Sequence, residues 1–246
     1  MESPLCISSG TFFVFHAPIN AKAAEEHDTP TGNEILTGEI SDIDSLIPLA
    51  EAQMNSPLSD DGITANINDN GQLQIIQIVN SNTRSGDAGI QVAASTFLVV
   101  DANGDELNYT DYRTSNGGLN SVSVFAVHTT YYTLHQASLI DPLWAKCHYM
   151  TTKLVYGTQV GASSMYQCYQ GYYSIYDAAN EVKQSNSISS PQAGILHTYF
   201  PMASREYKIG SLGQIVTFAH INIGTQSFEV RNTVLMNNDD WTQIIS

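Results

Sequence analysis

The sequence predicts an all-β fold, an antiparallel two-sheet sandwich or jelly roll with one principal short helix and an irregular acidic N-terminal region. Three observations carry that expectation. Runs rich in β-branched residues recur along the 246 residues, turn residues punctuate them, and only one segment has clear helical periodicity. One all-β domain over 1–246 is ordinary at this length, with 17–71 read as an acidic arm or insertion on the same domain.

The elements follow in chain order. Residues 11–16 make a first short apolar run. Residues 17–41 look irregular. Ser41 then stands as a cap before Ile43, Leu46, Ile47, Leu49, Ala50 and Met54, which share about half of a helical wheel. Asp42 and Asp44 favour the dipole of its first turn, and Pro48 predicts a late start or a kink. Residues 56–71 read as an acidic loop. The runs 72–80 and 89–100 are strands, the second closed by the Asp101-Ala-Asn-Gly turn. A strand over 121–135 comes next, and Asp141-Pro142 offers an N1-like start for a short helical turn. Strands are expected over 148–156, 165–176 and 194–200. Residues 214–223 and 226–236 flank Gly224-Thr225 and form a C-terminal hairpin. Along 214–223, Ile215, Thr217, Ala219, Ile221 and Ile223 take one face, while Val216, Phe218, His220 and Asn222 take the other.

Composition excludes several functions. Nine Lys+Arg against 24 Asp+Glu leave a formal charge of −15, so the cationic footprint of nucleic-acid binding is missing. No apolar run reaches the roughly 20 residues of a membrane-spanning helix. Residues 1–123 hold 17 acids and three bases, and 23–83 hold eleven acids with no Lys or Arg. That region is expected outside the main core. Glu2 stands where a signal peptide would carry a base, which predicts no classical secretion signal and a cytoplasmic protein, or one released by a non-classical route. Cys6, Cys147 and Cys168 are too widely spaced for a disulfide framework or zinc, and Cys147 and Cys168 are expected as buried hydrophobes.

The chemistry-bearing motifs are few. G-x-G-x-x-G, G-x-x-x-x-G-K-[ST], H-E-x-x-H and G-x-S-x-G are all missing from the sequence. The seven histidines (16, 27, 128, 135, 148, 197, 220) are scattered, so no metal and no cofactor is expected. Asp101 to Glu106 resembles half of a calcium loop, but Gly104 is misplaced and Tyr112 stands where the closing glutamate belongs. The same string suits a tight hairpin turn better. Cys147 and His148 are neighbours whose side chains point apart on a strand. Asp141, His148, Tyr149 and His197 are the residues that would line an enzymatic pocket, and nothing in the pattern brings them together.

The densest unusual feature is 165–176, where Tyr166, Tyr169, Tyr172, Tyr173 and Tyr176 fall within eleven residues. On one strand, Tyr166, Tyr172 and Tyr176 face one way and Tyr169 and Tyr173 the other. Tyrosine offers a flat ring and a hydroxyl at low rotamer entropy, which suits a ligand-binding row. Cross-strand packing is the ordinary alternative for the inward row. The five are the candidate ligand-binding residues. The expected function is that of a non-enzymatic binding protein, lectin-like or membrane-active in the manner of a defence or toxin module. Its partners would be a glycan, a membrane surface or other protein subunits, including a homo-oligomer. A self-assembling capsid-type or inclusion-body protein is the first alternative. A cofactor-independent enzyme with a tyrosine- and histidine-lined pocket is the second, a kind of enzyme that motif reading does not detect.

Overall fold

A computed structural model describes residue 35 and residues 43–54, 62–80, 89–114, 122–135, 143–155, 162–172, 182–202, 206–209 and 214–234. These hold two helices, α1 (Ile43–Met54) and α2 (Tyr109–Thr114), and twelve strands. The strands are β1 (Ile63–Ile67), β2 (Leu73–Asn80), β3 (Ile90–Val100), β4 (Glu106–Leu107), β5 (Ser123–His135) and β6 (Leu143–Leu154). After them come β7 (Ser164–Tyr172), β8 (Val182–Ser189), β9 (Leu196–Tyr199), β10 (Glu206–Ile209), β11 (Gln214–Ile223) and β12 (Gln226–Val234). The larger sheet runs β1-β2-β3-β5-β6-β10, with β4 added to β3 and β9 to β6. The smaller runs β12-β11-β7-β8. Every pairing is antiparallel, and the fold is a two-sheet β-sandwich.

The large sheet is buried on both faces, and β3 shows why its sequence reads as a nearly continuous apolar run. Its Phe97 and Val99 face α1, joining Leu46, Leu49, Ala50, Leu73, Ile75 and Val127 in one apolar cluster. Its Val92, Ala94 and Leu98 face the small sheet, beside Tyr132 and Ile215 or Ile221. Helix α1 runs through Pro48 and buries Ile43, Leu46, Leu49 and Ala50, one stripe of the wheel. Each of the Ile and Leu side chains among them contributes about 1.5–3 kcal/mol by leaving water.

The interface between the sheets differs from the helix side because its centre is polar. Asn232 of β12 donates through Nδ2 to the Ala94 and His128 carbonyls at 3.0 and 3.1 Å and to Thr130 Oγ1 at 3.0 Å. Its Oδ1 accepts from Gln74 Nε2 at 2.8 Å and from Thr96 Oγ1. His128 contacts Thr152 Oγ1 through Nδ1 at 2.9 Å and Thr217 Oγ1 through Nε2 at 3.2 Å. Gln167 donates to Thr152 Oγ1 at 3.1 Å and accepts from Asn186 at 3.3 Å. A hydrogen-bonded seam therefore crosses the sandwich from β8 to β2 through both sheets.

Several expectations are corrected. Residues 23–83 do not lie outside the core, because Leu73, Ile75 and Ile76 are fully buried in it. Within the expected acidic loop, Ile63–Ile67 forms edge strand β1, whose alternating Ile-Thr-Ala-Asn-Ile pairs with β2. No helix continues from Asp141-Pro142: strand β6 starts at Leu143, with Ala145 and Cys147 buried toward the small sheet. The unforeseen α2 is capped by Asn108, whose Oδ1 accepts the Asp111 N–H at 3.0 Å. Residues 11–16 and Ser41 lie outside the described residues. The C-terminal hairpin forms as expected, with Ile223 opposite Gln226 and Gly224 at φ +57°. Asp101 closes the β3–β4 turn by accepting the Asn103 and Asp105 N–H groups at 2.8 and 3.0 Å. Those bonds hold its carboxyl below the usual range.

Candidate binding surface

Strands β7, β11 and β12 present one face of the small sheet away from the sandwich interior. Tyr166 opposes His220 on β11, and Cys168 opposes Phe218. Across the hairpin, Glu229 opposes His220 and Arg231 opposes Phe218. The period of two along each strand thus gathers Tyr166, Phe218, His220, Glu229 and Arg231 on one face, above buried Cys168 and Val216.

Their geometry is closely connected. The Tyr166 and His220 rings stack at 4.6 Å with planes 18° apart. Phe218 meets the His220 ring edge-on at 5.1 Å, and the Arg231 guanidinium lies over Phe218 at 5.6 Å. Glu229 is held by two donors: His220 Nε2 at 2.7 Å and an Arg231 terminal nitrogen at 2.6 Å. Partial burial, followed by the nearby Arg231 charge, lowers the His220 pKa, although Glu229 opposes the shift. At neutral pH the imidazole is uncharged and its Nε2–H donates to the carboxylate. Burial also raises the Tyr166 phenol above its ordinary pKa, so the hydroxyl stays protonated and can donate.

The rim is built from the other sheet. Asn68 Nδ2 donates to the Arg231 carbonyl at 3.0 Å, and Gln72 Nε2 donates to the Glu229 carbonyl at 2.6 Å. These side chains seal the outer edge of β12 and fix the two residues that carry the ion pair. Gln72 also donates to Glu106 at 2.9 Å. Burial raises the Glu106 carboxyl pKa, the Gln72 bond opposes the shift, and the charge of Glu229 adds to it.

Of the five predicted tyrosines, only Tyr166 lies on this surface among the described side chains. Tyr169 is fully buried and packs beside Tyr132, Met150 and Ile215 between the sheets. Tyr172 ends β7 opposite Gln214, in the parity of Tyr166, but its side chain lies outside the described residues, as do Tyr173 and Tyr176. The pocket-forming set does not converge. His148 is bulged out of the β5–β6 ladder and bonds Thr133 Oγ1 at 2.5 Å, while Cys147 is buried on the opposite face. His197 opposes Thr152, on the inner side, whereas Tyr149 stacks on Tyr131 at 4.1 Å on the outer side. Asp141 lies outside the described residues.

Sequence reasoning missed Phe218, His220, Glu229 and Arg231 as site residues. A usable signal existed for all four. A two-residue loop at Gly224-Thr225 sets the hairpin register, which places Glu229 opposite a histidine and Arg231 opposite a phenylalanine.

Fold and surface together define an antiparallel β-sandwich whose smaller sheet displays an aromatic and ion-pair cluster. Comparison with protein-family models, with curated proteins and with solved structures finds no match.

Proposed function

We propose that this chain is a non-enzymatic binding protein that takes a carbohydrate on the outer face of its smaller sheet. The observation that carries the reading is the Tyr166–His220 stack set directly against the Glu229–Arg231 ion pair. Sugars present an apolar C–H face and a fringe of hydroxyls. An amphipathic ring matches the first, and planar charged groups with several donors and acceptors match the second. Glu229 is engaged by two donors, which suits a fixed acceptor better than a base that must accept a proton.

Titration calorimetry against hits from a glycan array tests the reading. Tyr166→Ala is expected to weaken binding by ~1–3 kcal/mol, the scale of an aromatic anchor, with the fold intact by circular dichroism. Array silence of the wild-type chain, or a Tyr166→Ala variant that binds as well as wild type, would overturn it.

Self-assembly is the second reading, favoured by β8. Among the described strands it pairs only with β7, and it carries Lys183 as its sole charge. Such an edge accepts an added strand. Native mass spectrometry showing discrete oligomers, lost on Ser185→Pro, would favour it over glycan binding.

A further inference from the structure

The strand register carries the face around Tyr166 onto β8. Ser187 opposes Tyr166, Ser185 opposes Cys168 and Lys183 opposes Gln170. Directly opposed residues project to the same side of a sheet, and all three of these β8 residues are exposed. Serine hydroxyls and Lys183 therefore border the Tyr166–His220 stack on the side away from Arg231. Four strands spaced about 4.8 Å apart make this face about 14 Å across, room for a short oligosaccharide.

Donors on the face outnumber the acceptors they have. Glu229 is the only acid on the described strands of the small sheet, against Arg231 and Lys183. Both of its oxygens are engaged, Oε1 by Arg231 Nη2 at 2.6 Å and Oε2 by His220 Nε2 at 2.7 Å. The Arg231 side chain is 40% exposed, and no other hydrogen bond reaches its guanidinium among the described residues. Lys183 makes no ion pair among them. Burial lowers the His220 pKa, Glu229 opposes the shift, and Arg231 and Lys183 each add to it, so both cations act on the ring between them. A sugar hydroxyl both donates and accepts, so beside these two cations its proton goes unused. A carboxylate only accepts, and its planar pair of oxygens matches the guanidinium fork.

We propose that the ligand of this face is an acidic oligosaccharide, with one ring on the Tyr166–His220 stack and carboxylates on Arg231 and Lys183 at its two sides. The inference rests on the carbohydrate reading and narrows it. The β8 serines serve the neutral hydroxyls of the same ligand. At physiological salt an exposed charge is largely screened beyond about 8 Å, so the two cations on the face outweigh the −15 spread over the whole chain.

The test is binding of the full chain to oligomers of galacturonate, glucuronate and mannuronate, each beside its methyl ester, which keeps the sugar and removes the charge. Wild type is expected to bind an acid at least about tenfold more tightly than its ester, the scale of a charge-assisted hydrogen bond. Lys183→Gln, at an exposed position where circular dichroism should show the fold intact, is expected to lose most of that preference and to bind the ester as wild type does. Raised salt should shrink the preference in wild type as well. An ester bound as tightly as its acid, or a preference that Lys183→Gln leaves whole, overturns the inference and leaves the carbohydrate reading standing. Wild type that ignores the uronates but binds a neutral glycan on the array has the same consequence. Silence toward every glycan overturns both.

Discussion

The two faces of the large sheet are buried to a similar degree but by different means. On one face α1 closes over Leu73, Ile75, Phe97, Val99 and Val127, a cluster of apolar side chains with two tyrosines at its rim. On the other, the small sheet closes over Gln74, Thr96, His128, Thr130 and Thr152, all buried and joined to Thr217, Gln167 and Asn232. The first face is stabilised by area removed from water, a term without directional demands on individual contacts. The second is stabilised only when each donor meets its acceptor, because an unmatched buried polar group costs more than a matched one contributes. The helix side supplies stability, and the seam selects one alignment of the two sheets.

The largest effect is expected on the dry side. Phe97→Ala should cost ~3–5 kcal/mol, since a ring of this size leaves a cavity that two sheet strands and a helix cannot close. The loss should be read by chemical denaturation, with an unchanged m-value. A loss below ~1 kcal/mol would mean that α1 is not packed as described.

Next comes the seam. Asn232→Ala removes partners from Gln74, Thr96 and Thr130 and from the Ala94 and His128 carbonyls. It should cost ~2–4 kcal/mol, beyond the volume lost, because several groups are left unpaired at once. Asn232→Leu, close in volume, should not recover the loss. Full recovery by leucine would show that packing, not hydrogen bonding, joins the sheets.

How far these two faces can be read from sequence differs as sharply as their chemistry. The dry side is legible: the stripe Ile43, Leu46, Leu49 and Ala50 announces a helix, and the β-branched runs announce what it covers. The Gly224-Thr225 hairpin is legible for the same local reason, since loop length sets its register. The seam is not. Gln74, His128 and the Thr217–Asn232 pair of the hairpin sit on strands far apart in sequence, and no local pattern shows that these polar letters meet. Strand β8, Val182–Ser189, escaped notice because it carries little apolar material to alternate. The candidate surface falls between these cases. His220 and Glu229 meet within one hairpin, but Tyr166 joins them only because β7 pairs with β11, a long-range choice no local pattern encodes. The tyrosine density drew attention to β7, one strand of the candidate surface, and parity separated Tyr166 from buried Tyr169.

Acid should act on the seam and spare the dry side. His128 is fully buried, and burial pushes its pKa down to about 3 from an ordinary 6.5. The groups facing it are the hydroxyls of Thr130, Thr152 and Thr217, none of them an anion. The folded state therefore binds fewer protons than the unfolded chain below pH 6.5. Its stability is intact above that value and falls as the pH drops toward 3, by ~1.4 kcal/mol per unit for a single site. Between pH 6.5 and 5 the expected loss is ~2 kcal/mol, measured by denaturant titration at each pH. His128→Gln should flatten that slope by one proton. An unchanged slope would place the acid sensitivity elsewhere.

The smallest effect completes the comparison, because it concerns polar groups on the dry side. Arg113 of α2 reaches Glu51 of α1 at 2.9 Å, an ion pair as short as the bonds of the seam. Its side chains are 54% and 46% exposed, whereas Asn232 and His128 are fully enclosed. Water and salt screen the pair, and ordering two long side chains offsets much of the attraction. A double-mutant cycle on Glu51→Ala and Arg113→Ala should give a coupling of at most ~0.5 kcal/mol, shrinking further in high salt. If the coupling instead reached the ~2 kcal/mol expected of a buried bond to a charged group, distance rather than burial would govern the worth of a polar contact here. The division of labour between the two faces would then fail at its premise. A negligible coupling would mean that polar groups stabilise this sandwich only where the two sheets shut them away from water.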